Sequence, residues 1–198
     1  MSTLTDTTTV ALIGVGGQGI LLAAAILAET ASAEGLEVKA SEVHGMAQRG
    51  GSVVSTVRFG RKVYSPVLRR PDFVIATEKL EGFRGLEMLH NGGTLVCAAT
   101  TRILPGSVLR REQPYPDDLA AAAESRGIRL LAVDAEGLAR EAGTIRAVNV
   151  ALMGAASTVL PFTAESWRRG LEKAVPAKIF AVNERAFSLG RDSVVTPA

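Results

Sequence analysis

The sequence predicts an α/β protein in which helices cover both faces of one mixed β-sheet, giving a three-layer α/β/α sandwich with a helical C-terminal part. Short apolar runs alternate with longer segments that repeat at helical spacing, which is the pattern of strands buried between helices. A glycine-rich turn joins the first apolar run to the first helical segment. With 198 residues, 47% of them hydrophobic, the chain suits a single domain covering residues 1–198.

The charge balance excludes several classes of function. The formal net charge is +2 and only 21% of the residues are charged, so no strong field favours nucleic acid or an anionic membrane. Residues 1–9 are polar and lack the basic start of a signal peptide, and no apolar run is long enough to cross a bilayer. We therefore expect a cytoplasmic protein with neither a nucleic-acid nor a membrane partner.

Cysteine usage limits the metal chemistry. The only cysteine, Cys97, lies in the apolar run 94–99, where a buried strand residue is expected. One cysteine excludes both a disulfide within the chain and an iron–sulfur cluster held by four thiolates of this chain. The sequence predicts no metal site.

The first motif is the glycine turn between the predicted strand 10–13 and the predicted helix 20–33. Its spacing is G-x-G-x-x-G, which lets the chain turn sharply and lets a phosphate approach the free N–H groups of the helix, as in the Rossmann fold. The alternative is that these glycines serve only close packing of helix on strand. The candidate cofactor-binding residues are Gly14, Gly16, Gly17, Gln18 and Gly19.

A second polar, glycine-rich stretch follows the next predicted strand, 37–43. If that strand lies parallel to and beside the first, this stretch shares a rim of the sheet with the glycine turn. The candidate substrate-binding or partner-interface residues in it are Glu42, His44, Gly45, Met46, Gln48, Arg49, Gly50 and Gly51. Residues 52–59 then alternate as a strand, and a turn at 60–62 predicts a hairpin with 63–65, so the sheet is mixed.

The remaining elements follow the same two periodicities. Buried strands are expected at 73–76, 94–99 and 128–133. Helices are expected at 80–89, 119–125, 135–142, 148–159, 164–174 and 177–189, with prolines or glycines dividing them. The polar tail from Arg191 is expected to be loose.

The glycine turn GVGGQG, followed by SEVHGMAQRGG, VRFG and VYSP, resembles the small subunit of the 2-oxoacid:ferredoxin oxidoreductases, and the indolepyruvate type most closely. Asp134-Ala135, the run 146–150 and Gly154-Ala155 are similar to the same family, so the likeness covers nearly the whole chain.

The resemblance implies a subunit that is inactive alone and pairs with a large subunit carrying thiamine diphosphate, Mg and [4Fe-4S] clusters. The complex would convert an aryl 2-oxoacid such as indolepyruvate and coenzyme A to an acyl-CoA and CO2, and would reduce ferredoxin. This chain lacks the Gly-Asp-Gly segment that holds thiamine diphosphate through a metal. It is therefore expected to bind no cofactor by itself, apart from coenzyme A at the glycine turn.

His44 and Arg49 are the candidate catalytic residues. A histidine can move protons near neutral pH, and an arginine can bind a carboxylate or phosphate with its planar fork. The alternative for each is an interface role, with His44 bonded to a partner backbone and Arg49 in an ion pair. Met46 is expected to fill a gap at the interface.

Two other classes of function remain open from the residues. A stand-alone NAD(P)-dependent oxidoreductase of Rossmann type would place pyrophosphate on the glycine turn and the ribose hydroxyls on Glu42. Such an enzyme also needs a substrate-binding half, for which this chain leaves little room. A non-catalytic nucleotide-binding regulatory module is the third possibility, because no nucleophile and base are evident together.

Overall fold

The computed structural model describes residues 7–44, 51–67, 70–104, 109–110 and 114–195. Within these ranges six strands form one sheet in the order β2-β3-β1-β4-β5-β6. The strands are β1 Thr8–Val15, β2 Glu37–His44, β3 Ser52–Gly60, β4 Phe73–Ala76, β5 Thr94–Ala98 and β6 Arg129–Val133. Strands β1, β4, β5 and β6 are parallel, whereas β3 runs antiparallel to both of its neighbours. The α/β fold with a mixed sheet is confirmed.

The described ranges contain seven α-helices and two short 3₁₀ turns. Asp118, Asp134 and Thr163 each accept an N–H bond at a helix start, which satisfies a backbone donor that the helix itself leaves free. The helices are α1 Ile20–Ala33, α2 Lys79–Met88, α3 Leu119–Glu124, α4 Ala135–Ala142, α5 Val148–Ala156, α6 Ala164–Ala174 and α7 Phe180–Val195. The 3₁₀ turns are Ile145–Ala147 and Ala177–Ile179.

Both faces of the sheet are covered by apolar side chains. On one face α1, α5, α6 and α7 pack around Trp167 and Phe59, and Trp167 meets the ring of Phe162 edge-on at 5.6 Å. On the other face α2 and α3 pack over Leu95 with Leu86 and Leu119. This arrangement is the three-layer sandwich that the alternating runs predicted.

The predicted hairpin between residues 52–59 and 63–65 is wrong. Strand β3 instead pairs with the strand before it, β2, and Lys62–Val67 forms no strand. The carbonyl oxygens of this segment bind side chains rather than a ladder, because Arg58 donates to Ser65 C=O at 2.6 Å and Lys39 donates to Tyr64 C=O at 3.4 Å.

The prediction of a loose tail from Arg191 is also wrong, because helix α7 continues to Val195. The second half of α7 packs closely on α5, since a Cβ at Gly190 would lie 1.9 Å from the carbonyl oxygen of Ala151. Leu189 and Val194 pack against the core from the same helix. A few apolar residues, spaced along the helix, therefore hold in place a segment whose other residues are polar.

Strand β3 separates β2 from β1, so the condition that these two strands be direct neighbours is not met. With neighbouring strands roughly 4.8 Å apart, the carboxyl end of β2 lies about 10 Å from that of β1. The glycine turn and residues 42–44 still end at the same edge of the sheet, because β2 and β1 point the same way.

Candidate functional site

A cavity of about 400 Å³ lies where the glycine turn meets the start of α5, at the carboxyl edge of the sheet. Gly17 and Gly19 line it from the turn, Arg146 and Asn149 from the far side, and Thr101 from the segment after β5. Ligands of open α/β sheets gather at this edge. The fold thus brings residues from three distant parts of the sequence to one place.

The glycine turn presents an uncapped helix start to the cavity. Gly17 and Gly19 have φ values of 103° and 73°, a left-handed conformation that residues with a Cβ rarely adopt. Gly19 is the N-cap of α1 and provides no side-chain cap, and the first turn of α1 contains no acidic residue. The first N–H groups of a long helix and its dipole therefore favour an anion here.

Asn149 ties α5 to this turn. Its Nδ2 donates to Gly19 C=O at 2.9 Å, and a Cβ on Gly19 would lie only 2.5 Å from that nitrogen. Asn149 is 2% exposed, yet its Oδ1 has no hydrogen-bond partner among the described residues, and the same holds for Oγ1 of the buried Thr101. Buried polar atoms without a partner are costly, so both atoms are available to a group that the described residues do not supply.

The electrostatics of the cavity rim are mixed. Arg146 is exposed at the rim, and the described part of the chain offers it no ion pair. Glu136 also lines the cavity, but its carboxylate lies 3.4 Å from Arg140. Among the described residues that line the cavity, Arg146 is therefore the cation available to a bound anion.

The crevice between β1 and β4 is filled by Gln18. Its Oε1 accepts bonds from Val15 N–H and Thr77 Oγ1, both at 2.7 Å, and its Nε2 donates to Thr77 C=O at 3.2 Å. Gly14 lies against the same threonine, because a Cβ there would be 2.0 Å from Thr77 Oγ1. Gly14 and Gln18 thus shape the turn through contacts within the chain.

The second motif is described only at its two ends. Glu42 pairs with Ser55 and His44 with Val53 on the edge strand β2, whereas Gly45, Met46, Gln48, Arg49 and Gly50 lie outside the described residues. At the other end Gly51 C=O accepts a bond from Gly16 N–H at 2.9 Å. The two motifs therefore meet, through a backbone contact between their glycines.

A buried acidic pair lies beside this contact. Glu78 and Glu81, at the start of α2, are 1% and 3% exposed. Glu78 accepts bonds from Glu81 N–H at 2.9 Å, Ile103 N–H at 3.0 Å and the Tyr115 hydroxyl. Burial and the bond to Glu78 raise the pKa of Tyr115 above its usual range, so its hydroxyl stays a donor.

Sequence reasoning missed Asn149 and Thr101 as parts of the site, and it missed the acidic pair beside the contact between the two motifs. Asn149 stands in the run 146–150 that carried part of the family likeness, and this was the only signal for it.

Of the residues that the structure describes, no three histidine, cysteine or acidic side chains are placed to hold a metal ion. Likewise, no described helix is long and apolar enough to cross a membrane.

The architecture defines a Rossmann-like α/β domain with a cavity beside its glycine turn. A family model described as "Pyruvate ferredoxin/flavodoxin oxidoreductase" matches residues 9–193. The chain belongs to this family. The resemblance noted in the sequence is confirmed, and the alternative of a stand-alone NAD(P) enzyme is not favoured.

Individual relatives agree with this assignment. The chain is 40% identical over 188 residues to the indolepyruvate oxidoreductase subunit IorB of Thermococcus kodakarensis, covering 91% of this chain and 93% of the relative. The keto/oxoacid ferredoxin oxidoreductase gamma subunit from Geobacter sulfurreducens superposes with a TM-score of 0.73 at 22% identity, covering 95% of this chain and 98% of that one.

A third likeness is to the 2-oxoglutarate:ferredoxin oxidoreductase from Magnetococcus marinus, solved with 2-oxoglutarate, coenzyme A and succinyl-CoA bound. Its TM-score is 0.75 at 20% identity, and the match covers 98% of this chain but 32% of that one. This fold therefore also occurs as one part of a longer chain.

Proposed function

We propose that the chain is the small subunit of an indolepyruvate:ferredoxin oxidoreductase, whose complex decarboxylates the 2-oxoacid to an acyl-CoA and CO2 and passes the electrons to ferredoxin. The match to a curated subunit with indolepyruvate in its name, over more than nine tenths of both chains, supports this substrate. The proposal includes a cytoplasmic location and a single functional domain over residues 1–198.

The redox cofactors belong to a large partner subunit in this proposal. The chain has one cysteine, and that cysteine is buried in β5, so it cannot supply the thiolates of an iron–sulfur cluster. Thiamine diphosphate, Mg and the [4Fe-4S] clusters are therefore assigned to the partner, and the isolated chain is expected to be inactive.

This chain contributes a coenzyme A site at the cavity beside the glycine turn. The start of α1 suits a phosphate, and Arg146 can form charge-assisted bonds to it. Asn149 Oδ1 needs a donor that a fully ionised phosphate group does not offer, and coenzyme A carries hydroxyl, amine and amide donors besides its phosphates. The observation that carries the site assignment is an uncapped helix start beside buried polar atoms that find no partner among the described residues.

The large subunit docks at the same edge of the sheet in this proposal. Val43, Leu21 and Ile145 expose 64%, 47% and 43% of their surface there, around the ends of β2 and the glycine turn. Exposed apolar side chains of this kind are typical of an interface core. The stretch 42–51, with His44 and Arg49, would then lie between the two subunits.

The test is a complex reconstituted with its large subunit and assayed for acyl-CoA formation from indolepyruvate. Arg146→Ala is expected to raise the KM for coenzyme A by about tenfold with little change in kcat, because a binding contact is lost equally in ground and transition states. The matched control is Arg126→Ala, an exposed arginine at the opposite edge of the sheet.

Two results would contradict separate parts of the proposal. An unchanged KM for coenzyme A in Arg146→Ala would remove the site assignment but leave the subunit assignment standing. A complex that turned over other 2-oxoacids and left indolepyruvate untouched would instead remove the substrate assignment.

A further inference from the structure

Glu81 is a buried carboxylate that bonds to a strand outside its own helix. Ser52 Oγ donates to its Oε2 at 2.8 Å, and Arg84, one turn further along α2, donates to its Oε1. At 3% exposure the carboxylate is almost fully removed from water. Such burial is costly unless every oxygen has partners, and here both oxygens do.

Capping of α2 does not explain this carboxylate. The N-cap of α2 is Glu78, whose side chain already accepts the free N–H of Glu81. The first-turn position of Glu81 is favourable for a negative charge, but an exposed carboxylate would gain that benefit without losing its water. The bond from Ser52 is the side-chain bond that Glu81 makes outside its own helix.

Ser52 connects Glu81 to the glycine turn. It is the first residue of β3 and stands opposite Val15, the last residue of β1. The residue before it, Gly51, accepts the Gly16 N–H bond at 2.9 Å. The Gly51–Ser52 segment is therefore held between α2 on one side and the turn on the other.

We propose that Glu81 is a positioning residue for the ligand-binding turn. Through Ser52 it fixes the Gly51 carbonyl, and through that carbonyl it fixes the backbone of Gly16, which precedes the cavity-lining Gly17 and Gly19. This inference rests on the proposed coenzyme A site. It assigns a role in ligand binding to Glu81, which does not itself line the cavity.

The experiment uses the reconstituted complex with Glu81→Ala, Ser52→Ala and the conservative Glu81→Gln. The control is Glu87→Ala, an exposed acid on the same helix. Amide hydrogen exchange over residues 14–19 is measured without ligand, and the dissociation constant of coenzyme A is measured by calorimetry. Both alanine variants are expected to speed exchange at Gly16 and to weaken coenzyme A binding by about tenfold. Glu81→Gln keeps an acceptor for Ser52 and should stay near wild type, as should Glu87→Ala.

The proposal is overturned if exchange at Gly16 is unchanged in Ser52→Ala, which leaves helix α2 intact. It is equally overturned if exchange rises while the dissociation constant of coenzyme A stays the same, because the tether would then be structural only. A wild-type complex that bound no coenzyme A would remove the proposed ligand site, whereas the exchange data would still show whether the tether exists.

Discussion

Gln18 and Thr77 bind each other across the crevice between β1 and β4, with Thr77 Oγ1 donating to Gln18 Oε1 at 2.7 Å and Gln18 Nε2 donating to Thr77 C=O at 3.2 Å. The Gln18 side chain thus closes the crevice in which Rossmann folds bind their ligand. In the proposed site, an anion would therefore reach the turn from the side of the cavity that Asn149 and Arg146 line.

Removing this pair should cost stability. Gln18→Ala is expected to lower the free energy of unfolding by about 1–2 kcal/mol, because Val15 N–H and the buried Thr77 hydroxyl lose their acceptor. Thr77→Val should cost a similar amount, and the double variant should cost less than the sum by about 1 kcal/mol. Urea denaturation of the four proteins measures this coupling, and strict additivity would show that the two side chains act independently.

Gly14→Ala and Gly17→Ala separate close packing from backbone strain. Gly14→Ala forces Thr77 and Ile20 to move, and it is expected to lower the free energy of unfolding by about 1–3 kcal/mol. At Gly17 an added Cβ has nothing within 4 Å, so Gly17→Ala is expected to cost only the strain of a left-handed backbone, about 1 kcal/mol. Trimming the neighbour with Thr77→Ala should recover part of the Gly14→Ala loss but none of the Gly17→Ala loss. Calorimetric unfolding provides the comparison, and equal rescue of both would contradict it.

Cys97 should be unreactive while the protein is folded. Burial first, and the nearby Glu78 carboxylate second, raise the pKa of the Cys97 thiol to about 12. At pH 8 it is therefore almost entirely the neutral thiol, and the thiolate is the reactive form. Ellman's reagent is expected to label the chain only in guanidinium. Rapid labelling of the native chain at pH 8 would show that β5 opens or that the thiol is accessible.

Arg49 is the sharpest test of the second motif. If it contacts the transferred charge, Arg49→Ala should reduce turnover per intact complex by about tenfold to a thousandfold without weakening assembly. If it forms an interface ion pair, the dissociation constant of the two subunits should rise while the surviving complex keeps its turnover. Both quantities are measured beside Arg61→Ala, an exposed arginine after β3. No change in either would remove Arg49 from the site.

Periodicity predicted the elements whose burial repeats along the chain. Strands β4 and β5 and helix α1 were predicted correctly because each has one clear apolar pattern. The partner of β3 was misread because a strand's alternation does not say which neighbour it joins. Which strands pair with β3 depends on the packing of the whole sheet.

The site was harder to predict than the fold. The glycine turn was visible because its spacing is local, but Asn149 reaches Gly19 across 130 positions of sequence from inside an apolar helical run. No sequence pattern singled out Glu81, since nothing local shows that Ser52 will bond to it. Contacts of this kind are set by packing between elements, which a linear pattern does not contain.

The position of β3 also limits what could be engineered from this scaffold. A dinucleotide enzyme keeps its ribose-binding acid on the strand beside the glycine turn. Here Glu42 stands a full strand further away, about 10 Å from β1, because β3 has been inserted between them. No substitution at position 42 shortens that distance, so converting the domain into a nicotinamide-dependent enzyme would require removing a strand, a change of topology that point mutation does not supply.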